Sequence, residues 1–274
     1  MNLVNRLPTA RMLASLLLVA GLSMLAGCAT SPGGATSDAG GQWHTASDDT
    51  EERKRARTRL ALAVGYYENG QLTIALDEQK KAAQADPNFS DVYNVGGMIY
   101  MALGDTPLAQ TQFQRAIALN PRDGSAMHNL GWLYCENGQF ESANVQFEKA
   151  LAVPNYMDRA RTLMAQGVCQ ARAGQMELAE ATLMRSYELD AGNPVTGYNL
   201  ALLLYRRAEL DRARFYIRRL NNSDLANAES LWLGIRIEHR LGDQRTVEQL
   251  ASQLRRRFPQ SSQLVAYERG QFDD

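Results

Sequence analysis

The stretch that decides the fold is residues 90–123, SDVYNVGGMIYMALGDTPLAQTQFQRAIALNPRD, followed at once by residues 124–157, GSAMHNLGWLYCENGQFESANVQFEKALAVPNYM. The two stretches carry the same residue types at the same places: a small residue, a glycine, an alanine, a phenylalanine and a second alanine. We interpret each stretch as two helices joined by a tight turn, at Gly104 in the first stretch and at Gly138 in the second. The matched residues are Gly97 and Gly131, Gly104 and Gly138, Ala109 and Ala143, Phe113 and Phe147, and Ala116 and Ala150.

The same pattern extends over most of the chain. The turn positions are spaced by 34, 34, 36, 34 and 34 residues and fall at Gly70, Gly104, Gly138, Gly174, Ala208 and Gly242. This period resembles the tetratricopeptide repeat, in which each unit is a helix–turn–helix hairpin. The resemblance implies an all-α, right-handed superhelical solenoid of about six repeats in a domain spanning 51–274. The repeats are predicted at 56–89, 90–123, 124–159, 160–193, 194–227 and 228–261.

Small residues recur in the predicted first helices, where a second helix has to approach closely: Ala63, Gly97, Gly131, Gly167 and Ala201. Each hairpin then leaves an apolar side that only the next hairpin can cover. The first three repeats match best. Repeat five has Ala208 in place of the turn glycine, and repeat six has Glu238 where the first repeats have tyrosine.

The N-terminus has the pattern of an export signal. Arg6 and Arg11 precede an apolar run at residues 12–26, which is short for a membrane span of about 20 residues. Residues 25–28, LAGC, resemble the bacterial lipobox, in which the cysteine is acylated. We predict a lipoprotein signal peptide at 1–27 and a flexible tether at 28–50 that begins with lipidated Cys28. A plain signal peptide with a chance cysteine is the alternative.

A second N-terminal feature bears on the membrane. The residue after Cys28 is Ala29. By resemblance to enteric lipoproteins, where an aspartate there retains the protein at the inner membrane, we predict the periplasmic face of the outer membrane.

Composition argues against several classes of protein. Lys and Arg number 29 against 30 Asp and Glu, without the basic excess that is typical of nucleic-acid binders. The sequence has no paired-histidine metalloprotease helix, phosphate loop or nucleophile elbow, and its three histidines are too scattered for a metal site. We therefore expect no catalytic residues, metal, cofactor, nucleic acid or small-molecule substrate. The prediction is a protein that holds another protein.

The resemblance also implies where a partner binds. In tetratricopeptide repeats, a fixed set of first-helix positions lines the concave groove, and in this sequence those positions form a strip rich in Met and aromatic residues. Such residues anchor interfaces, so we predict that a peptide or helix binds there. The alternative is that they pack within the array or beneath a C-terminal helix. The predicted groove residues are Asn94, Met98, Met101, His128, Trp132, Met164, Tyr198, Leu202 and Tyr205.

Two cysteines, Cys135 and Cys169, fall in the first helices of repeats three and four. The periplasm is oxidising and permits a disulfide. However, cysteine is among the most buried residue types, and stacked helices rarely bring two Cβ atoms to about 4 Å. We favour two buried thiols and keep the bridge as the alternative.

A basic run opens the first repeat: Arg53, Lys54, Arg55, Arg57 and Arg59. We interpret it as a solvated helix face. Contact with anionic lipid headgroups is the alternative.

The lipobox, short tether and six repeats together resemble the type IV pilus biogenesis and stability lipoproteins, the pilotin-type proteins of the pilus secretin. The resemblance is strongest over residues 61–87, 93–121 and 127–150, and at 167–170, GVCQ. It implies an outer-membrane lipoprotein required for type IV pilus biogenesis, which binds secretin subunits and promotes their outer-membrane localisation and multimerisation. The alternative is an adaptor that scaffolds periplasmic peptidoglycan enzymes or proteases.

Overall fold

The structure is a computed structural model that describes residues 48–272, and this range contains thirteen α-helices and no strand. It confirms the predicted all-α repeat fold. The predicted signal peptide, Cys28 and most of the predicted tether lie outside the described residues. The helices are α1 (Glu51–Glu68), α2 (Leu72–Ala85), α3 (Ser90–Ala102), α4 (Thr106–Leu119), α5 (Gly124–Glu136), α6 (Phe140–Ala152), α7 (Arg159–Arg172), α8 (Met176–Leu189), α9 (Pro194–Arg206), α10 (Leu210–Asn221), α11 (Ala228–Arg240), α12 (Gln244–Arg257) and α13 (Ser262–Glu268).

Helices α1 to α12 form six hairpins, in which each odd-numbered helix packs on the even-numbered helix that follows it. Every hairpin turns at one residue with positive φ. Five of these residues are the glycines at 70, 104, 138, 174 and 242, with φ between 71° and 79°. The sixth is Ala208, whose φ is 59°. The chain therefore makes the same turn in repeat five without a glycine, at a cost of roughly 1–2 kcal/mol for a residue with a Cβ.

Capping residues specify where many of the helices begin. Asp105, Asp123 and Asp243 each accept a hydrogen bond from the backbone N–H three residues further on. These bonds satisfy donors that have no partner inside the helix. Pro107 and Pro194 occupy first turns, where a missing N–H does no harm.

Close approach of the two helices in a hairpin depends on the glycines of the first helix. A Cβ built at each of three glycines would overlap a bulky side chain of the second helix. The pairs are Gly97 with Phe113 (2.4 Å), Gly131 with Phe147 (2.9 Å) and Gly167 with Leu183 (2.6 Å). Phe113, Phe147 and Leu183 are fully buried. These pairs confirm the predicted roles of the small and bulky positions.

The hairpins stack in order, and buried apolar residues of neighbouring hairpins pack together in several clusters along the array. Successive first helices contact one another, from α1–α3 through α9–α11, whereas contacts between successive second helices in the described range are sparse or absent. The first helices therefore line the inner, concave side of the array. Helix α13 packs on α11 and α12 and buries Leu264 against repeat six.

Repeat six replaces the expected tyrosine with a paired charge. Glu238 is 1% exposed, and its carboxylate accepts hydrogen bonds from Arg214 (2.6 Å) and Arg218 (2.8 Å). A buried carboxylate without such partners would be strongly destabilising. The two arginines of α10 thus let a polar residue occupy an interior position of this hairpin.

Candidate functional site: a groove lined by first helices

The concave face contains a pocket of about 350 Å³ that is shared by five repeats. Its wall is formed by α1, α3, α5, α7 and α9, the first helices of repeats one to five. Most of the lining is apolar, with methionines and a tryptophan at its centre. The lining residues are Tyr67, Met98, Met101, His128, Asn129, Trp132, Arg161, Met164, Ala165, Val168, Val195 and Asn199.

The repeat period explains why distant residues meet in this pocket. Met98, Trp132 and Val168 occupy the same place in repeats two, three and four, at separations of 34 and 36 residues. Because successive first helices stack on one another, residues one repeat apart lie side by side. A row of equivalent positions therefore becomes one continuous wall.

Five of the nine predicted groove residues line the pocket: Met98, Met101, His128, Trp132 and Met164. Asn94 lies next to it and accepts a hydrogen bond from Asn129 Nδ2 at 2.9 Å. Tyr198, Leu202 and Tyr205 instead pack with the core cluster of repeats five and six. Tyr205 is only 6% exposed, and its ring faces Arg236 and Arg240.

Several lining residues were missed by sequence reasoning, although the period contains the signal for some of them. Tyr67 stands one repeat before Met101, so the groove positions could have been carried back into repeat one. Arg161 and Val195 share a position one turn before Met164 and Tyr198, at the rim. Asn129, Ala165 and Asn199 also share one position in repeats three, four and five, three residues before Trp132, Val168 and Leu202, and this position was not among the predicted groove positions.

His128 forms the polar part of the pocket floor. The side chain is 5% exposed, its Nδ1 lies 2.9 Å from Thr162 Oγ1, and Thr162 Oγ1 in turn lies 3.0 Å from the hydroxyl of Tyr156. Burial, with a smaller contribution from the nearby Arg161 guanidinium, lowers the pKa of His128 to about 4. The imidazole is therefore neutral near pH 7, and the pocket floor carries no charge from it.

Trp132 is half-buried at the centre of the groove. The Arg172 guanidinium lies 5.3 Å from its ring centroid and forms an ion pair with Glu136. The cation holds one face of the indole in place. The methionines beside it are flexible and can adjust to the shape of an inserted side chain. This arrangement suits the binding of an apolar residue of a peptide or helix.

The two cysteines form a disulfide, which corrects the prediction of two buried thiols. Cys135 and Cys169 are bonded, with their Cα atoms 5.8 Å apart. The stacking of α5 on α7 places Cys135 within disulfide reach of Cys169, which lies two residues before the position equivalent to Cys135 in repeat four. Both cysteines are buried beneath the wall that carries Trp132.

The basic run of α1 is paired within the folded domain. Lys54 and Arg55 form ion pairs one turn along their own helix, and Arg57 pairs with Asp49. The other two arginines reach the second helix and its end: Arg53 to Asp86 and Arg59 to Glu78. All five charges thus have partners in repeat one. This pairing agrees with the interpretation of the basic run as a solvated helix face.

Within residues 48–272, no three His, Cys, Asp or Glu side chains are grouped so as to hold a metal ion. None of the helices in that range is long and apolar enough to cross a membrane.

Structural comparison shows what the fold is similar to. The crystal structure of PilW, described as a widely conserved type IV pilus biogenesis factor, superposes with a TM-score of 0.71 at 27% identity, covering 77% of this chain and 97% of PilW. A structure of PilF from Pseudomonas aeruginosa gives a TM-score of 0.72 at 24% identity, covering 81% of this chain and all of that one.

Sequence comparison agrees. Models of the tetratricopeptide repeat match residues 90–123 and 113–143. The type IV pilus assembly protein PilF of Pseudomonas aeruginosa is 25% identical over 202 residues, which are 74% of this chain and 80% of PilF. An uncharacterised protein of Haemophilus influenzae is 30% identical over 135 residues, which are 49% of this chain and 75% of that protein. The chain is a tetratricopeptide-repeat protein with homology to PilF and PilW. In this tetratricopeptide-repeat protein, the residues matched by the repeat models include Met98, Met101, His128 and Trp132 of the pocket.

Proposed function

We propose that this protein is an outer-membrane lipoprotein of type IV pilus biogenesis, which binds subunits of the pilus secretin and promotes their outer-membrane localisation and multimerisation. The observation that carries the proposal is the Met- and Trp-lined pocket on the concave face. The homology to PilF and PilW, proteins named for type IV pilus assembly and biogenesis, supports the pilus role.

The chemistry of the pocket suits a segment of another protein. Its volume of about 350 Å³ is at the small end of the range for ligand pockets, and its wall is mostly apolar, with Arg161 as the one charged residue among the described residues that line it. Arg161 is exposed at the rim, and Asn199 is half-buried beside it. We expect a peptide or helix that inserts one apolar side chain between Met98 and Trp132 and keeps its polar side towards the rim.

The second part of the proposal is delivery by the lipid anchor. Acyl chains on Cys28 would attach the protein to the membrane with about 0.8 kcal/mol for each buried methylene, and more than one chain is needed for stable attachment. Residues 29–50 would then link the anchor to the first repeat. A secretin subunit held in the groove would travel with the anchor to the outer membrane.

Complementation of a deletion strain tests the groove. The strain receives the wild-type gene, a Trp132→Ala/Met164→Ala variant, or the matched control Phe215→Ala, whose side chain is 61% exposed on α10, outside the pocket. We expect detergent-resistant secretin multimers and twitching motility with wild type and control, and loss of both with the groove variant. Circular dichroism of the purified variants verifies that they fold. Normal multimers in the strain carrying the groove variant would exclude the groove.

The deletion strain itself tests the partner. If secretin multimers form normally without this gene, the secretin proposal is wrong whatever the groove binds. A Cys28→Ser variant tests delivery separately. We expect this variant to lose lipid labelling and to leave secretin subunits outside the outer-membrane fraction. A variant that is still labelled and still delivers secretin subunits to the outer-membrane fraction would refute the anchor.

A further inference from the structure

The segment that follows α13 folds back over the concave side of repeat six. Helix α13 ends at Glu268, and Gly270, whose φ is 65°, turns the chain just after it. Phe272 then stacks on His239, with ring centroids 4.1 Å apart and planes 10° from parallel. Trp232 lies 5.7 Å from the same ring at 29°, and Tyr267 meets its edge at 6.0 Å. Three aromatic side chains therefore enclose one phenylalanine.

The backbone of this segment is held as well. Arg236 Nε donates a hydrogen bond to the carbonyl oxygen of Phe272 at 3.1 Å. Trp232, Arg236 and His239 are spaced by four and three residues along α11, so they share one face of the helix. Trp232 stands one repeat after Tyr198, so this face continues the line of groove positions. The inner side of repeat six thus receives an aromatic ring and a backbone carbonyl, which are the groups that a bound peptide presents.

The charge of this region favours an acidic ligand. Residues 194–261 contain 12 Arg, no Lys and 7 Asp or Glu, a net charge of +5. The guanidinium carbons of Arg236 and Arg240 lie 4.9 and 5.0 Å from the Tyr205 ring centroid, on the concave side. In the sequence, Phe272 is followed by Asp273 and Asp274. The segment seated on repeat six therefore belongs to an aromatic–acidic sequence, QFDD, beside a basic surface.

We propose that the concave side of repeat six is a second protein-binding site, which takes a partner segment with an aromatic residue followed by acidic residues, and which Phe272 occupies until that partner displaces it. The site lies on the repeat that follows the pocket of repeats one to five, has no lining residue in common with that pocket, and does not depend on which partner fills it. Phe272 is held by its contacts with three aromatic rings and by the hydrogen bond from Arg236. A longer partner segment could add contacts with Arg240 and Tyr205.

While it occupies the site, Phe272 would compete with a partner for binding. A segment tethered by a few residues has an effective concentration in the millimolar range. A partner must compete with this concentration, so its apparent affinity is reduced while Phe272 is in place. Removing the Phe272 side chain should therefore raise the affinity for an aromatic–acidic peptide.

The test uses the chain from residue 29 to 274 and the indole N–H signal of Trp232 in NMR spectra, assigned with a Trp232→Phe variant. Wild type, Phe272→Ala and the control Phe215→Ala are titrated with the peptide RGQFDD, which is residues 269–274, up to about 5 mM. Two further peptides, RGQADD and RGQFNN, remove the ring and the carboxylates in turn. Thermal unfolding verifies that each variant is folded.

We expect Phe272→Ala, but not Phe215→Ala, to move the Trp232 signal, and RGQFDD to return it towards its wild-type position. RGQFDD should bind Phe272→Ala at least tenfold more tightly than wild type. RGQADD and RGQFNN should each bind this variant at least tenfold more weakly than RGQFDD. An unmoved Trp232 signal in Phe272→Ala would overturn the proposal. So would equal binding of the three peptides, or no binding of RGQFDD at the highest concentration.

Discussion

Reduction of the Cys135–Cys169 disulfide is the most direct test of how the array supports its groove. The bridge joins α5 to α7, which carry Trp132 and Met164 of the pocket. Its removal frees repeats three and four to move relative to each other. We expect reduction to lower the free energy of unfolding and to weaken partner binding at the pocket.

The size of the effect follows from the length of the closed loop. The two cysteines are separated by 34 residues, and for a loop of that length the chain-entropy relation gives about 4 kcal/mol at 25 °C. Both side chains are almost fully buried, at 2% and 3% exposure. Reduction therefore leaves two thiols inside the core and exposes little new surface. The entropic amount is thus the main part of the expected loss.

The assay is urea unfolding of the chain from residue 29 to 274, followed by circular dichroism with and without reductant. A Cys135→Ala/Cys169→Ala variant serves as the control, since it should unfold at the same urea concentration in both conditions. A thiol count confirms reduction of the wild type. If the fully reduced wild type loses less than about 1 kcal/mol of unfolding free energy, the loop-entropy reasoning is wrong for this array.

Three further predictions concern stability, and urea titration measures each. Acidification from pH 6.5 towards pH 4 should destabilise the fold by up to about 3 kcal/mol. His128 has a folded pKa of about 4, below its unfolded value, so its contribution to the free energy of unfolding is complete above pH 6.5 and is lost as the pH falls. His128→Gln should flatten this part of the curve of stability against pH. An unchanged curve would contradict the assignment of the effect to His128. Gly97→Ala should lower the free energy of unfolding by about 1–3 kcal/mol, because the Phe113 ring occupies the space for the new Cβ. Gly65→Ala, where no atom lies within 4 Å of the new Cβ, should instead stabilise α1 by up to about 1 kcal/mol. Equal effects of the two substitutions would refute the packing argument. Ala208→Gly should stabilise by roughly 1 kcal/mol, since its φ is 59°, and a loss of stability would show that this turn is not strained.

The periodic features were predictable because each repeat specifies them locally. The turn at Gly104, the close approach at Gly97 and the buried Phe113 all lie within one hairpin of 34 residues. The same pattern predicts a turn at Ala208, where φ is 59°. Met98, Met101 and Trp132 are predictable as groove residues because stacked repeats place their equivalent residues on the same side of the array.

Features that depend on how far one hairpin is offset from the next were not predictable. Whether Cys135 and Cys169 can bond depends on how closely α5 crosses α7, and a shift of an ångström or two in that crossing separates a disulfide from two thiols. The burial of Tyr205 follows from the positions of Arg236 and Arg240 on the neighbouring first helix.

The amino-acid order alone was enough to establish the hairpin, its period, the turn residues and the type of surface that the first helices present, because these follow from contacts over a few turns of chain. The stacking of six hairpins decided the rest: the pocket that gathers five repeats, the neutral buried His128, the disulfide, and the return of Phe272 onto His239. Each of these joins residues that lie in different repeats or beyond the last of them. Their distances depend on the accumulated geometry of the array, which no single repeat encodes.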